Sequence, residues 1–218
     1  MLKYTCAVFD LDGTILDTLD DLTNAVNHAM TAAGRPVHSR EEVRRMVGNG
    51  VKVLIAKALG NDADEALITS ALADFRTFYA AHIDVHTREY PGVSDMLRRL
   101  RAAGIKTCVC SNKYDAAVQV LIEKHFPGLF DAVIGEGGAI PRKPDPAGAL
   151  QAAARAGADA ADTCFIGDSY NDYQTARNAG MAAILVSWGF ADRDALVEMQ
   201  PDALCDTMAQ LESTILGK

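Results

Sequence analysis

Two kinds of hydrophobic pattern alternate along this chain. Short apolar runs rich in β-branched and aromatic residues predict buried strands, and segments with apolar residues at helical spacing separate the later runs. The alternation predicts βαβ units and a doubly wound parallel sheet with a Rossmann-like core, an α/β fold. The predicted strands are Tyr4–Phe9, Ile105–Cys110, Ala132–Ile134, Thr163–Ile166 and Ala182–Val186.

A long stretch between the first two strands carries only helical patterns. Leu19, Leu22, Val26 and Met30 recur at the spacing of one helix face, and Ser39 opens a capping-box pattern. We therefore predict a helical insert over residues 16–85, with residues 1–15 and 86–218 forming the α/β domain. The further helices predicted in the insert are Val51–Leu59 and Glu65–Ala81.

Charge and composition indicate what this protein is unlike: a nucleic-acid-binding, membrane or disulfide-rich protein. A formal net charge of -8 and a pI of about 5.1 oppose binding to nucleic acid or an anionic membrane surface. No apolar stretch approaches the roughly 20 residues of a membrane span, and the start of the chain does not fit a signal peptide. Five cysteines at irregular spacing fit reduced core thiols better than disulfides, so we expect a cytoplasmic protein.

Four acidic residues follow two of the predicted strands. Asp10 and Asp12 leave the first strand two positions apart, ahead of Gly13, while Asp168 and Asp172 follow the strand that begins at residue 163. An Asp-Gly turn and a helix N-cap are the alternative interpretations. Carboxyl ends of parallel strands share one edge, where four carboxylates would require a cation, and oxygen ligands suit Mg²⁺.

Two further motifs supply groups that bind anions. Ser111 and Asn112 follow the second strand and are expected to offer a hydroxyl and backbone N–H groups at the start of a helix. Lys143 lies between prolines that stiffen the backbone, although a lone lysine is most often a solvated surface charge. Together they predict a phosphate-binding site.

These motifs in this order resemble those of the haloacid dehalogenase superfamily phosphatases, and most closely the phosphoglycolate phosphatase subgroup. The resemblance covers nearly the whole chain. The four motifs are Asp10-Leu11-Asp12-Gly13-Thr14, Ser111-Asn112, Lys143-Pro144, and Gly167-Asp168-Ser169 with Asp172.

The resemblance implies a role for each core residue. Asp10 would attack phosphorus and carry the phosphoryl group, and Asp12 would act as general acid and base. Ser111, the Asn112 backbone N–H and Lys143 would hold the phosphoryl oxygens. The implied Mg²⁺ ligands are the Asp10 carboxylate, the Asp12 backbone carbonyl and Asp168, with Asp172 as a further ligand or an orienting residue.

The helical insert would correspond to the family's cap domain. Asn49, in a Gly-Asn-Gly loop, is the expected substrate contact in the cap, and Arg45 and Lys52 are either further contacts or ordinary helix surface. Asp17 and Thr18 are expected to serve the hinge or the surroundings of the metal. The expected partner is a small phosphorylated metabolite, and the chain is expected to be a monomer or a homodimer.

Other functions share parts of this pattern. A phosphatase or phosphomutase acting on a sugar or nucleoside phosphate would use the same core motifs with a different cap. The alternative from a different class is a non-catalytic phospho-acceptor or ligand-binding protein resembling a receiver domain. A receiver domain would lack the helical insert, and a passive acceptor would have no need of Asp12. The retained Asp12 therefore favours an enzyme.

Overall fold

A computed structural model describes residues 3–138 and 140–218 and divides the chain into two compact units. The first unit contains the residues up to Leu16 together with Glu89–Lys218, and the second contains Asp17–Arg88. Two short strands, β2 at Leu16–Asp17 and β3 at Arg88–Glu89, pair with each other where the chain passes from one unit to the other.

The first unit is built on a six-stranded sheet whose described pairings are all parallel. The strands are β1 (Cys6–Phe9), β4 (Lys106–Tyr114), β5 (Ala132–Glu136), β6 (Thr163–Gly167), β7 (Ala182–Val186) and β8 (Ala203–Cys205). The strand order is β5-β4-β1-β6-β7-β8, so the chain builds outward from β1 in one direction and then in the other. The prediction of a doubly wound parallel sheet is confirmed.

Helices pack against these strands. Strands β1 and β6 are buried along their whole length, as expected for strands covered on both faces. One face carries a core rich in small residues, including Cys6, Val8 and Phe165 from the strands and Ala149 and Ala152 from a helix. The helices of this unit are α5 (Val93–Ala102), α6 (Asp115–His125), α7 (Ala147–Arg155), α8 (Tyr170–Ala179), α9 (Arg193–Glu198) and α10 (Met208–Leu216).

The second unit is helical. Its predicted apolar stripe is confirmed, because Leu19, Leu22, Val26 and Met30 are all buried. The capping box predicted at Ser39 is also confirmed, with reciprocal bonds to Glu42. The helices are α1 (Leu19–Ala32), α2 (Arg40–Met46), α3 (Val51–Leu59) and α4 (Glu65–His82).

The end of β4 differs from the prediction. The sequence predicts a strand ending at Cys110 and a helix starting near Ser111, whereas β4 continues to Tyr114 and α6 begins at Asp115. The pairing with β5 resumes between Tyr114 and Glu136 after a register shift, and this pairing keeps the intervening residues extended. Ser111 and Asn112 therefore lie on the end of a strand rather than at a helix N-terminus.

Candidate active site

Asp10 occupies the first position after β1. Its backbone N–H donates to the carbonyl of Ile166 at 2.8 Å, and its Oδ1 accepts from the Leu11 N–H at 2.7 Å. Burial raises the pKa of Asp10 to about 7, an effect that the nearby Lys143 ammonium partly opposes and Asp172 reinforces. The Asp10 carboxylate is thus held in one orientation at a buried position, where its negative charge requires positive charge nearby.

The turn after Asp10 requires glycine. Gly13 has a φ of +82°, which favours residues without a Cβ, and a Cβ built there would collide with the Asp168 carboxylate. The turn is closed by the Leu11 carbonyl, which accepts from the N–H groups of Ile15 at 3.1 Å and Leu16 at 3.0 Å. The first motif is therefore packed directly against the acid that follows β6.

Asp168 follows β6 and is 2% exposed. Thr14 donates its hydroxyl to Oδ1 at 3.1 Å, and the Phe190 N–H donates to Oδ2 at 2.6 Å. Burial raises the pKa of Asp168 well above its usual value, and the charges of Asp172 and Asp10 add to the effect. Both oxygens are fixed in orientation by neutral donors, which leaves the charge itself to be balanced by a cation.

Asp172 lies in the first turn of α8 and forms a capping box with Ser169. Ser169 is the N-cap residue, and its hydroxyl donates to Asp172 Oδ2 at 2.5 Å, beside backbone bonds from Asp168 at 3.2 Å and Ser169 at 3.0 Å. A Cβ on Gly167 would collide with this side chain. The N-cap of α8 is Ser169 rather than Asp168, which removes the alternative interpretation of Asp168.

Lys143 supplies a buried positive charge to the cluster. Its Nζ lies 2.8 Å from Asp10 Oδ1 and 2.6 Å from Asp172 Oδ1. Burial alone would lower the pKa of Lys143, but the two carboxylates outweigh it and hold the pKa above its usual value. Lys143 is therefore a charged residue of the site and not a surface lysine.

Asn112 fixes the backbone of Lys143. The Lys143 N–H donates to Asn112 Oδ1 at 2.7 Å, and Asn112 Nδ2 donates to the Lys143 carbonyl at 3.1 Å. This reciprocal pair ties the end of β4 to the loop before α7. This contact is not predictable from the sequence, because it joins the end of a strand to a loop 31 residues away in the chain.

Lys113 is a second buried lysine at the site, and the sequence analysis missed it. Its Nζ lies 3.0 Å from Asp12 Oδ1 and 3.2 Å from Oδ2. The available signal was its place directly after Ser111-Asn112, which puts it on a strand paired with β1. Ser111 itself is 6% exposed, and its Oγ accepts from the Lys113 N–H at 3.3 Å.

The structure thus brings the predicted core residues to the carboxyl ends of β1, β4 and β6. Ligand atoms of Asp10, Asp168 and Asp172 all lie within 4.8 Å of one another. Three carboxylates face one ammonium there, and an oxygen-rich set with excess negative charge is suited to a hard divalent cation such as Mg²⁺. The donor set therefore fits the predicted metal.

Three of the predicted residues of the helical unit form ion pairs within that unit. Arg45 is mostly exposed and binds Glu41 at 3.0 Å, Lys52 pairs with Glu65, and Asp17 pairs with Arg40 at 3.1 Å. Asn49 is exposed in the loop between α2 and α3, and Thr18 is fully buried ahead of α1.

Acids and lysines gather at the topological switch point of a doubly wound parallel sheet, which is where ligands bind in open α/β folds. Comparison with known proteins gives the family: the chain belongs to the haloacid dehalogenase-like hydrolases, whose family model matches residues 7–186. The resemblance seen in the motifs is confirmed.

Similar proteins narrow the class of reaction. Phosphoglycolate phosphatases of Pseudomonas syringae pv. syringae and Agrobacterium fabrum are each 36% identical to this chain; the first match covers 94% of this chain and 77% of the relative, the second 97% and 92%. A crystal structure of a candidate phosphoglycolate phosphatase from Lactobacillus delbrueckii matches over 100% of both chains, with a TM-score of 0.96 and 35% identity. The protein is a phosphatase, a hydrolase of phosphoric monoesters.

Among residues 3–138 and 140–218, no helix has the length and apolar character needed to cross a membrane.

Proposed function

We propose that the enzyme hydrolyses a small phosphomonoester, with 2-phosphoglycolate as the first candidate, through an aspartyl-phosphate on Asp10 and with Mg²⁺ as cofactor. The observation that supports this most strongly is the cluster of Asp10, Asp168, Asp172 and Lys143 at the end of β1. The names of the similar phosphatases support the choice of substrate.

In the first step an Asp10 carboxylate oxygen attacks phosphorus, and the bond from phosphorus to the ester oxygen breaks. Asp12 gives a proton to the departing oxygen, so that an alcohol leaves rather than an alkoxide. In the second step Asp12 takes a proton from water as the water oxygen attacks phosphorus. Inorganic phosphate leaves, and the Asp10 carboxylate is restored.

The other core residues stabilise the phosphoryl group as its charge shifts. The Ser111 hydroxyl, the Asn112 backbone N–H and the Lys143 ammonium are proposed to hold its oxygens. Asn112 has a second role, because its side chain fixes the backbone from which Lys143 extends.

Mg²⁺ would be held by the Asp10 carboxylate, the Asp12 backbone carbonyl and Asp168, and when bound it would offset the negative charge of these acids and of the phosphoryl oxygens. Both oxygens of Asp172 already accept hydrogen bonds, Oδ1 from Lys143 and Oδ2 from Ser169. We therefore assign Asp172 chiefly to orienting Lys143, with a further ligand role as the alternative.

The helical unit, residues 17–88, is proposed as the cap domain and as the part of the chain that governs substrate choice. Asn49 is the first residue to test, followed by Arg45 and Lys52. Phosphate release should be measured from 2-phosphoglycolate and from a panel of sugar and nucleoside phosphates, with and without Mg²⁺. A clear preference for 2-phosphoglycolate supports the proposed substrate, whereas preference for a sugar or nucleoside phosphate refutes it and leaves the chemistry standing.

Replacing the proposed nucleophile tests the chemistry itself. Asp10→Asn should lower kcat by about 10⁴-fold or more, because an amide cannot form the covalent intermediate. Asp95→Asn, an exposed change on α5 of the same unit, is the matched control and should leave kcat unchanged. Appreciable Mg²⁺-dependent turnover by Asp10→Asn would contradict the mechanism.

A further inference from the structure

Lys113 binds both oxygens of the Asp12 carboxylate, and the mechanism above gives it no role. The Nζ distances are 3.0 and 3.2 Å, and the two side chains are 5% and 16% exposed. We propose that Lys113 is a positioning residue that orients the Asp12 carboxylate for proton transfer. This inference rests on the acid and base role proposed for Asp12.

Hydrogen bonds fix the backbone of the turn that carries Asp12. The Leu11 carbonyl accepts from the N–H groups of Ile15 and Leu16, and the Gly13 N–H donates to the Leu16 carbonyl at 2.9 Å. A general acid must stay within hydrogen-bond reach of the oxygen it protonates, and small misplacements are costly. The two contacts from the Lys113 ammonium hold the Asp12 carboxylate in one orientation on this turn.

The backbone of Lys113 is well placed to provide this restraint. A Cβ built on Gly135 of β5 would lie 3.0 Å from the Lys113 carbonyl oxygen and would collide with Asp115 Cα, so β5 packs tightly against this segment. Asp115 Oδ1 accepts from the Gly135 N–H at 2.9 Å, and this bond fastens the end of β4 to β5. Lys113 therefore projects from a fixed segment of backbone.

Burial keeps the ammonium with the carboxylate. Burying a charged side chain costs free energy unless the charge is paired. Movement of the Lys113 ammonium away from Asp12 is therefore unfavourable. Lys143 meets the charge of Asp10 and Asp172 instead. The two lysines thus serve different acids: Lys143 the proposed nucleophile, and Lys113 the proposed proton donor.

The leaving group of the substrate provides the test. An alkyl phosphate needs a proton on its departing oxygen, whereas 4-nitrophenyl phosphate releases a stable phenolate without one. The value of kcat/KM reports the steps up to formation of the aspartyl-phosphate, so Lys113→Met should lower it by about 10- to 100-fold for the alkyl phosphate, a part of what general acid catalysis contributes. For 4-nitrophenyl phosphate the loss should stay within about threefold, because that step does not use the oriented acid.

Two further variants make the result decisive. Asp12→Asn should show the same dependence of kcat/KM on the leaving group. Lys106→Met, at the exposed start of β4, should leave kcat/KM unchanged for both substrates. Retained activity on 4-nitrophenyl phosphate shows that Lys113→Met is folded. An equal loss on both substrates, or no loss on either, would overturn the positioning role. Failure of the proposed function would show differently, as a wild-type enzyme without Mg²⁺-dependent turnover or an active Asp10→Asn.

Discussion

Individual side chains set the charge balance of the site. Asp10, Asp168 and Asp172 are buried within reach of one another, and Lys143 alone cannot neutralise them. Neutral donors orient Asp168 from two sides without adding positive charge. A bound divalent cation is the simplest way to complete the balance, because its charge counteracts the burial and the nearby negative charges that raise the pKa values of Asp10 and Asp168.

Metal binding can be measured apart from activity. Mg²⁺ at about 100 times its Kd should stabilise the wild-type protein by about 2.7 kcal/mol, equivalent to a rise in Tm of roughly 5–10 °C for a chain of this size. Asp168→Asn should lose most of that rise, whereas the exposed change Asp194→Asn should keep it. Differential scanning calorimetry with and without Mg²⁺ checks both. An equal rise in the Asp168→Asn variant would argue against Asp168 as a ligand.

The only tryptophan offers a second readout of the same binding. The Trp188 indole N–H donates to the Thr14 carbonyl at 3.1 Å, and its loop supplies the Phe190 N–H to Asp168. We expect Mg²⁺ to change the fluorescence of Trp188 in the wild-type protein and to have little effect in Asp168→Asn.

Some residues of the site can be predicted because their type and their position in a short motif indicate a chemical role. Acids directly after a strand and a lysine between prolines could be found from spacing alone. The contacts of Lys113 with Asp12 and of Asn112 with Lys143 could not, because they depend on how strands and loops distant in the chain align. The sequence therefore identifies the acids and Lys143, but not which lysine contacts which acid.

The secondary-structure elements that position these groups differ in how well the sequence predicts them. Four of the five strands predicted from buried apolar runs lie within two residues of their observed bounds, whereas β4 extends four residues beyond its predicted end. The last elements, α9, β8 and α10, are not predicted from the sequence. With six and three residues, α9 and β8 are too short to show a hydrophobic period. For α10 a signal existed in the capping box formed by Thr207 and Gln210.

A buried acid in α1 secures the end of the helical unit. Asp21 Oδ2 accepts from the N–H groups of Val85 at 3.1 Å and Thr87 at 2.8 Å and from the Thr87 hydroxyl at 2.8 Å, and the His86 N–H donates to both of its oxygens. One carboxylate thus satisfies three consecutive amides after α4, an arrangement that the sequence did not reveal.

Removing this charge should loosen the segment that it holds. Asp21→Asn should lower the free energy of unfolding by about 2–3 kcal/mol, because an amide group would face donors that had a charged acceptor. Amides 85–87 should also exchange faster with deuterium. Asp20→Asn, which alters only exposed ion pairs with Arg40 and Arg88, should cost about 1 kcal/mol or less. Equal effects of the two changes in urea unfolding would contradict this account of Asp21.

The chain as a whole combines an α/β unit that holds the proposed reaction centre with a helical unit that is proposed to choose the substrate. The first motif lies at the end of β1, just before the chain enters the helical unit, and the other three lie in the α/β unit after its return. The family-wide chemistry is therefore assigned to one unit, and differences in substrate among related phosphatases are expected to follow the other.

Formation of the aspartyl-phosphate tests the central claim most directly. The enzyme should be mixed with Mg²⁺ and its best substrate, quenched in acid within milliseconds, and treated with borohydride, which reduces an acyl phosphate to an alcohol. Mass spectrometry of the peptide that carries Asp10 should then show homoserine at that position, and none when Mg²⁺ is omitted. Turnover with no modification of Asp10, or with modification of a different residue, would contradict the account.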